Sequence, residues 1–114
     1  MLAHLLQHQV RFGTAPNEPR LLESYLRLCD ECAADGDPLQ QTDIYQRAYE
    51  LLLETICDTS IPWHWRCLCL DHIHRPAFAL NRLARGRVQL RAATARLREL
   101  NLLSEYFLGR CPDW

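Results

Sequence analysis

Apolar residues recur at helical spacing along almost the whole chain, and no segment alternates with the period of two that a β-strand requires. Helices are predicted over residues 2–12, 19–34, 43–57, 62–75 and, after Pro76, to about Leu108. Gly86 is a candidate kink or break within the last of these segments. The pattern therefore predicts an all-α fold of about five helices.

The segment 62–75 has the most unusual pattern, because it is apolar around most of its circumference. Only His64, Asp71 and Arg75 lie on a clearly polar arc, and Pro76 marks where the helix should stop or bend. A helix that is apolar nearly all round is surrounded by other helices. We therefore expect a central helix here. The side chains that it should bury are Trp63, Trp65, Cys69, Leu70 and Ile73.

The length of 114 residues predicts one small domain over 1–114, with the segments 1–16 and 109–114 as candidate mobile ends. The first residues carry no basic segment ahead of an apolar core, so we expect no secretory signal. No apolar run approaches the roughly 18 residues of a membrane span. These features predict a cytoplasmic protein without a membrane partner, and its six cysteines should then be reduced thiols.

The small net charge of −1 conceals two oppositely charged parts of the chain. Residues 17–58 carry ten acidic residues and three arginines, whereas residues 59–98 carry one acidic residue and eight arginines. The plain interpretation is that the two parts face each other, with several of the arginines in 82–98 paired to the chain's own acids. The alternative is that the arginine-rich part binds an acidic partner. We expect Arg87 and Arg96 to project away from the side that holds Arg91 and Arg98.

Nucleic acid is not an expected partner of this basic part. The acidic segment 17–58 would repel a phosphate backbone, and no aromatic residue between Phe78 and Tyr106 offers a platform on which a base could stack.

The candidate metal ligands are His64, Cys67, Asp71 and His74, which follow one another at helical spacings and share one side of segment 62–75. These side chains suit zinc or iron. The four span about 15 Å of helix rise, too far for one ion to contact them all. An adjacent pair could ligate together with residues from another helix. The alternative is that the histidines pair within a packed polar seam.

Catalytic patterns are weak throughout. Cys29 and Cys32 have the spacing of redox and zinc motifs, but they lie at a predicted helix C-terminus, which disfavours a thiolate, so we interpret both as core residues. A Cys67–histidine nucleophile would need a local motif that the sequence lacks. No glycine-rich phosphate loop is present either. Cys111-Pro112 matches a two-residue element associated with haem regulation, which is too short to indicate a site.

One stretch resembles a known family. Ile61-Pro-Trp-His-Trp-Arg-Cys-Leu-Cys-Leu-Asp-His72, preceded by Arg47 with Leu52-Leu53 and by Glu18-Pro-Arg-Leu-Leu22, is similar to the FagA (Fur-associated gene A) family. These small bacterial proteins are encoded in iron-responsive operons beside fumarase and manganese superoxide dismutase. The resemblance covers about 12 contiguous residues and supplies no catalytic residue. It implies a cytoplasmic protein made during iron limitation or oxidative stress.

Together these observations predict a non-enzymatic interaction or regulatory protein that has a protein partner or self-associates. No cofactor is expected on this interpretation. The alternative is an iron-, zinc- or haem-responsive binding protein centred on the four candidate ligands.

Overall fold

Six helices make up the described part of the chain. The structure is a computed structural model that describes residues 2–107, and within them it contains no β-strand. The helices are α1 (Leu2–Phe12), α2 (Arg20–Ala34), α3 (Pro38–Cys57), α4 (Trp63–His72), α5 (His74–Leu83) and α6 (Gly86–Phe107). The predicted all-α domain is confirmed. None of these helices is long and apolar enough to cross a membrane.

Helix α3 occupies the centre of the domain, where it contacts α1, α2, α4 and α5. Its start is fixed by a reciprocal cap. The Asp37 carboxylate accepts a hydrogen bond from the Gln40 backbone N–H at 2.8 Å, and the Gln40 side chain accepts one from the Asp37 N–H at 2.9 Å. Pro38 follows at the first helical position, where no N–H is needed. The predicted central position of segment 62–75 is therefore wrong, since α3 holds it.

The segment 62–75 is also two helices rather than one. Helix α4 ends at His72 and α5 begins at His74, with Ile73 between them. A proline is accepted in the first turn of a helix, whose N–H groups have no intrahelical acceptor, but not farther inside. Pro76 therefore requires a new helix to begin shortly before it, and the break lies three residues ahead of the predicted one. The predicted break at Gly86 is confirmed, and this glycine has a φ of 76°.

The indole of Trp65 packs in the core against the end of α1. The ring is fully buried, and its N–H donates a hydrogen bond to the Val10 carbonyl at 2.8 Å. Gly13 lies directly over the ring at a φ of 55°, where an added Cβ would come within 3.0 Å of Trp65 Cδ1. Cys69 and Ile73 are buried as predicted, whereas Trp63 and Leu70 are only half-buried.

The amino-terminal segment, a candidate mobile end, packs as α1 against α2 and α3. Val10 is fully buried there and Leu6 nearly so. The other candidate mobile end, 109–114, lies outside the described residues.

Replacing Leu52 by alanine should lower the free energy of unfolding by about 2–5 kcal/mol, because its side chain is fully buried in α3 and its loss leaves a cavity. The matched control is Leu39→Ala in the same helix, where the side chain is 79% exposed and the loss should stay within about 0.5 kcal/mol. Urea denaturation followed by far-UV circular dichroism measures both. Equal losses for the two variants would contradict the placement of α3.

Candidate functional site

Two of the four candidate metal ligands already have other bonds. His64 lies in the first turn of α4, is half-buried, and its Nε2 is 3.0 Å from the Pro16 carbonyl oxygen. Cys67 is buried and forms a disulfide. A sulfur in a disulfide is not a thiolate ligand. Metal binding at this end of the predicted site would require the His64–Pro16 contact and the Cys67 disulfide to break.

The other two candidates are divided between separate helices. Asp71 is exposed near the end of α4, whereas His74 is exposed at the start of α5, where its ring contacts Phe78 at a centroid distance of 5.6 Å. Within residues 2–107, no group of three or more histidine, cysteine, aspartate or glutamate side chains could hold a metal ion. The structure does not bring the four together, and a metal site there stays a prediction.

The described cysteines differ in their surroundings, and two of them are buried thiols with raised pKa values. Burial raises the pKa of Cys29 to about 11, and burial also raises the pKa of Cys69 to about 12. Cys32 and Cys57 are free and exposed. Cys29 is therefore the core residue that the sequence predicted, but Cys32 is not. The expectation that all six thiols are reduced is wrong for Cys67. Cys111-Pro112 lies outside the described residues.

The acidic and basic parts of the chain do meet at Arg75. Its Nη1 lies 2.8 Å from Glu23 Oε2, and its Nη2 lies 3.6 Å from Asp30 Oδ2. The Tyr45 hydroxyl donates a hydrogen bond to Asp30 at 2.9 Å, and burial together with this bond raises the pKa of Tyr45 to about 12. This network joins α5 to α2 and α3.

The arginines of 82–98 behave differently from Arg75. Among the described residues, the ion pairs within 4.0 Å involve only Arg11, Arg47 and Arg75 as cations. The prediction that several arginines in 82–98 pair with the chain's own acids is therefore wrong for the part of the chain that the structure describes. Net charge along a sequence does not say which surfaces a fold brings together.

Three of these arginines form a continuous row on α6. Arg87, Arg91 and Arg98 are all exposed, and at about 100° per residue they fall within about 40° of the helix circumference. The expectation that Arg87 projects away from the other two is wrong, because residues four apart are neighbours on a helix. Arg96 does point elsewhere. It is half-buried toward the domain, where its Nη2 is 3.5 Å from Asn81 Oδ1.

Helix α6 is the least buried element of the structure. It is 22 residues long, and Phe107 is its only buried residue. Leu90 and Leu97 share helical spacing with Ala93 and Leu100, so periodicity puts them on one apolar stripe, but these side chains are 55% and 52% exposed. The line of contact runs instead along half-buried Ala93, Arg96, Leu100 and Leu103 to Phe107. The remaining exposed large apolar side chains of α6 are Val88, Leu102 and Tyr106.

The far end of α6 is anchored by an aromatic stack. Phe107 lies on Trp63 with centroids 4.6 Å apart and an interplanar angle of 12°. The Arg66 guanidinium is 5.1 Å from the Trp63 ring centroid and 5.6 Å from that of Phe107. The Tyr49 hydroxyl adds a hydrogen bond to Glu99 at 2.6 Å. These contacts hold the inner side of α6 and leave its outer side to solvent.

The outer side of α6 is therefore the candidate functional site. We define the α6 outer face as the row of arginines 87, 91 and 98 with the flanking Leu90 and Leu97. The two leucines lie on the apolar stripe of α6, and periodicity alone does not distinguish them from the half-buried Leu100 and Leu103. The sequence signal that indicates the α6 outer face is the four-residue spacing of Arg87 and Arg91, which puts the two arginines on one side of the helix.

Comparison of the chain with family models, curated proteins and solved structures finds no match. The resemblance to the FagA family therefore rests on the Ile61–His72 stretch and stays a prediction.

Stability should fall as the pH drops below the ordinary histidine pKa of about 6.5, because of His72. Burial and the nearby Arg75 lower the pKa of this histidine, and its Nδ1 is buried without a hydrogen-bond partner. The unfolded chain then binds more protons than the folded one below about pH 6.5. The stabilising effect of the neutral ring is complete above that pH and is lost as the pH falls through it.

Replacing His72 by glutamine should flatten this part of the pH profile of the unfolding free energy. His4→Gln, at an exposed position, is the control and should leave the slope unchanged. Denaturation midpoints at several pH values measure the slope, and equal slopes for His72→Gln and the unaltered chain would contradict the assignment.

Proposed function

We propose that this chain is a non-enzymatic interaction module that works through the α6 outer face. The observation that carries the proposal is that a 22-residue helix keeps Leu90 and Leu97 more than half exposed while the adjacent arginines have no ion pair among the described residues. Exposed apolar side chains grouped on one face mark interaction surfaces.

The combination of side chains suits a protein partner. Leucines contribute when they are removed from water, at about 25 cal/mol per Å² of apolar surface. Arginine forms bidentate hydrogen bonds with carboxylates and covers apolar surface with its methylene stem. A partner that presents acidic side chains beside apolar ones would satisfy both parts of the face.

The surroundings of the thiols support a role other than catalysis. Nucleophilic cysteines have a lowered pKa, whereas the pKa values of Cys29 and Cys69 are raised by burial. Iron or zinc binding by His64, Cys67, Asp71 and His74 is kept as the alternative, with no geometric observation in its favour.

The cellular setting belongs to the proposal as well. The similarity of Ile61–His72 to the FagA family supports a cytoplasmic protein that acts during iron limitation or oxidative stress. The interaction at α6 would then serve a regulatory role under those conditions.

Reversing two charges of the α6 outer face should abolish association. Immobilised protein is incubated with a bacterial lysate from iron-limited cells and, separately, with the purified chain. The Arg91→Glu, Arg98→Glu variant should retain at most about a tenth of the bound material, because each arginine would be replaced by a charge that repels the acidic partner.

The matched control is Arg20→Glu with Arg27→Glu, which changes the net charge equally at exposed positions of α2. This control should bind as the unaltered chain does. Association that is absent from the unaltered chain, or unchanged by the α6 substitutions, would contradict the proposal.

A further inference from the structure

We propose that the α6 outer face docks on a second copy of this chain, with α6 of each copy packed on the acidic corner of the other. The acidic corner is formed by Glu31, Asp35 and Asp43 around the junction of α2 and α3, together with the exposed Leu39. This inference rests on the proposed function, because it names the partner of the α6 outer face.

The acidic corner is complementary to the α6 outer face in charge and also offers apolar contacts. Asp35, Asp43 and Ile44 line a groove of about 390 Å³ between the end of α2 and the start of α3. Leu39 is 79% exposed beside it. Glu31 and Asp35 are exposed and have no ion pair within the described residues, while Asp43 pairs only with Arg47 of its own helix at 3.2 Å. The corner thus offers carboxylates and apolar contacts at one place, as the α6 outer face requires.

Arg87, Leu90, Arg91 and Thr94 line a shallow concavity near the start of α6. Leu90 projects from one side of the arginine row. A leucine entering the acid-lined groove would place the adjacent guanidinium groups against its carboxylates.

Both surfaces lie near the same end of α3, and this permits a reciprocal arrangement. Thr42 and Gln46 of α3 share a cleft with Ala92 and Arg96 of α6, so the first half of α6 runs beside the start of α3. Asp43 is the residue next to Thr42 and lines the groove of the acidic corner instead. A twofold axis close to this end would bring each α6 onto the acidic corner of the other copy. A symmetric dimer contains each contact twice.

Other occupants fit the α6 outer face less well. Two α6 helices packed on each other would bring the arginine rows of both copies together, which is repulsive. A membrane surface requires one contiguous apolar side, but the arginine row separates Leu90 and Leu97 from Val88 and Leu102 on the circumference of α6. A nucleic acid would neutralise the arginines and leave the leucines in water. The second copy satisfies both groups.

The first measurement is the molar mass of the purified full chain by sedimentation equilibrium over a range of concentrations. We expect a monomer–dimer equilibrium that weakens as NaCl is raised, because the contact is largely ionic. A chain that stays monomeric up to a concentration of about 100 µM would overturn the proposal, because a specific complex should already have formed at that concentration.

A charge exchange between the two surfaces tests the arrangement. The basic-face variant carries Arg87→Glu, Arg91→Glu and Arg98→Glu, and the acidic-corner variant carries Glu31→Arg, Asp35→Arg and Asp43→Arg. All six positions are exposed, so both variants should keep the helical circular dichroism spectrum of the unaltered chain. Each variant alone should dimerise at least about 100-fold more weakly, because like charges would face each other.

Mixed together, the two variants should form a one-to-one heterodimer, since both contacts then join opposite charges. A dimer that persists in either variant alone, or a mixture that stays monomeric, would overturn the proposal. Binding of α6 to generic duplex DNA or to anionic phospholipid vesicles by a monomeric chain would do the same. Association with a lysate protein that is lost on Arg91→Glu, Arg98→Glu would leave the proposed function standing while this inference fails. If the unaltered chain associates neither with a lysate protein nor with a second copy, both proposals are contradicted.

Discussion

The hydrogen bond from the buried Trp65 indole to the Val10 carbonyl closes the core on which the other helices depend. It joins α4 to the end of α1, and Gly13 leaves room for the ring where a side chain would collide with it. With the end of α1 held against α4 in this way, α3 is surrounded by α1, α2, α4 and α5. Helix α6 adds the single buried side chain Phe107 to this core, and its Leu90 and Leu97 remain about half exposed.

The incomplete burial of α6 connects the fold to the proposed role. A helix held by Phe107 and by the Tyr49–Glu99 hydrogen bond keeps its inner side fixed, so its outer side is presented in a defined orientation. The Arg75 network uses Glu23 and Asp30 internally, whereas the carboxylates of Glu31 and Asp35 stay exposed. The chain thus satisfies part of its charge within itself. The arginines of the α6 outer face and the carboxylates of the acidic corner remain exposed.

Sequence periodicity was sufficient to predict the all-α class, the burial of Trp65 and the break at Gly86. Each of these features depends on local pattern or on backbone preference. Periodicity could not locate the break at Ile73, since a proline is tolerated anywhere in a first turn. It also could not distinguish Leu97 from Leu100 on α6. Both belong to one apolar stripe, and only the packing of the other five helices decides how much of that stripe is covered. The prediction of arginine pairing was wrong for a similar reason, because the net charge of a segment does not say which surfaces the fold brings together. The four candidate metal ligands share a side only if α4 and α5 are one helix.

The central claim is that the α6 outer face is open in the single chain and covered on association. Hydroxyl-radical labelling read out by mass spectrometry tests it most directly, at a low and at a high protein concentration. In dilute protein, Leu97 should react at a rate comparable with that of exposed Leu39 and far faster than buried Leu52, and it should become protected as the concentration rises. A Leu97 side chain that is as protected as Leu52 in dilute protein, or equally reactive at both concentrations, would contradict the account.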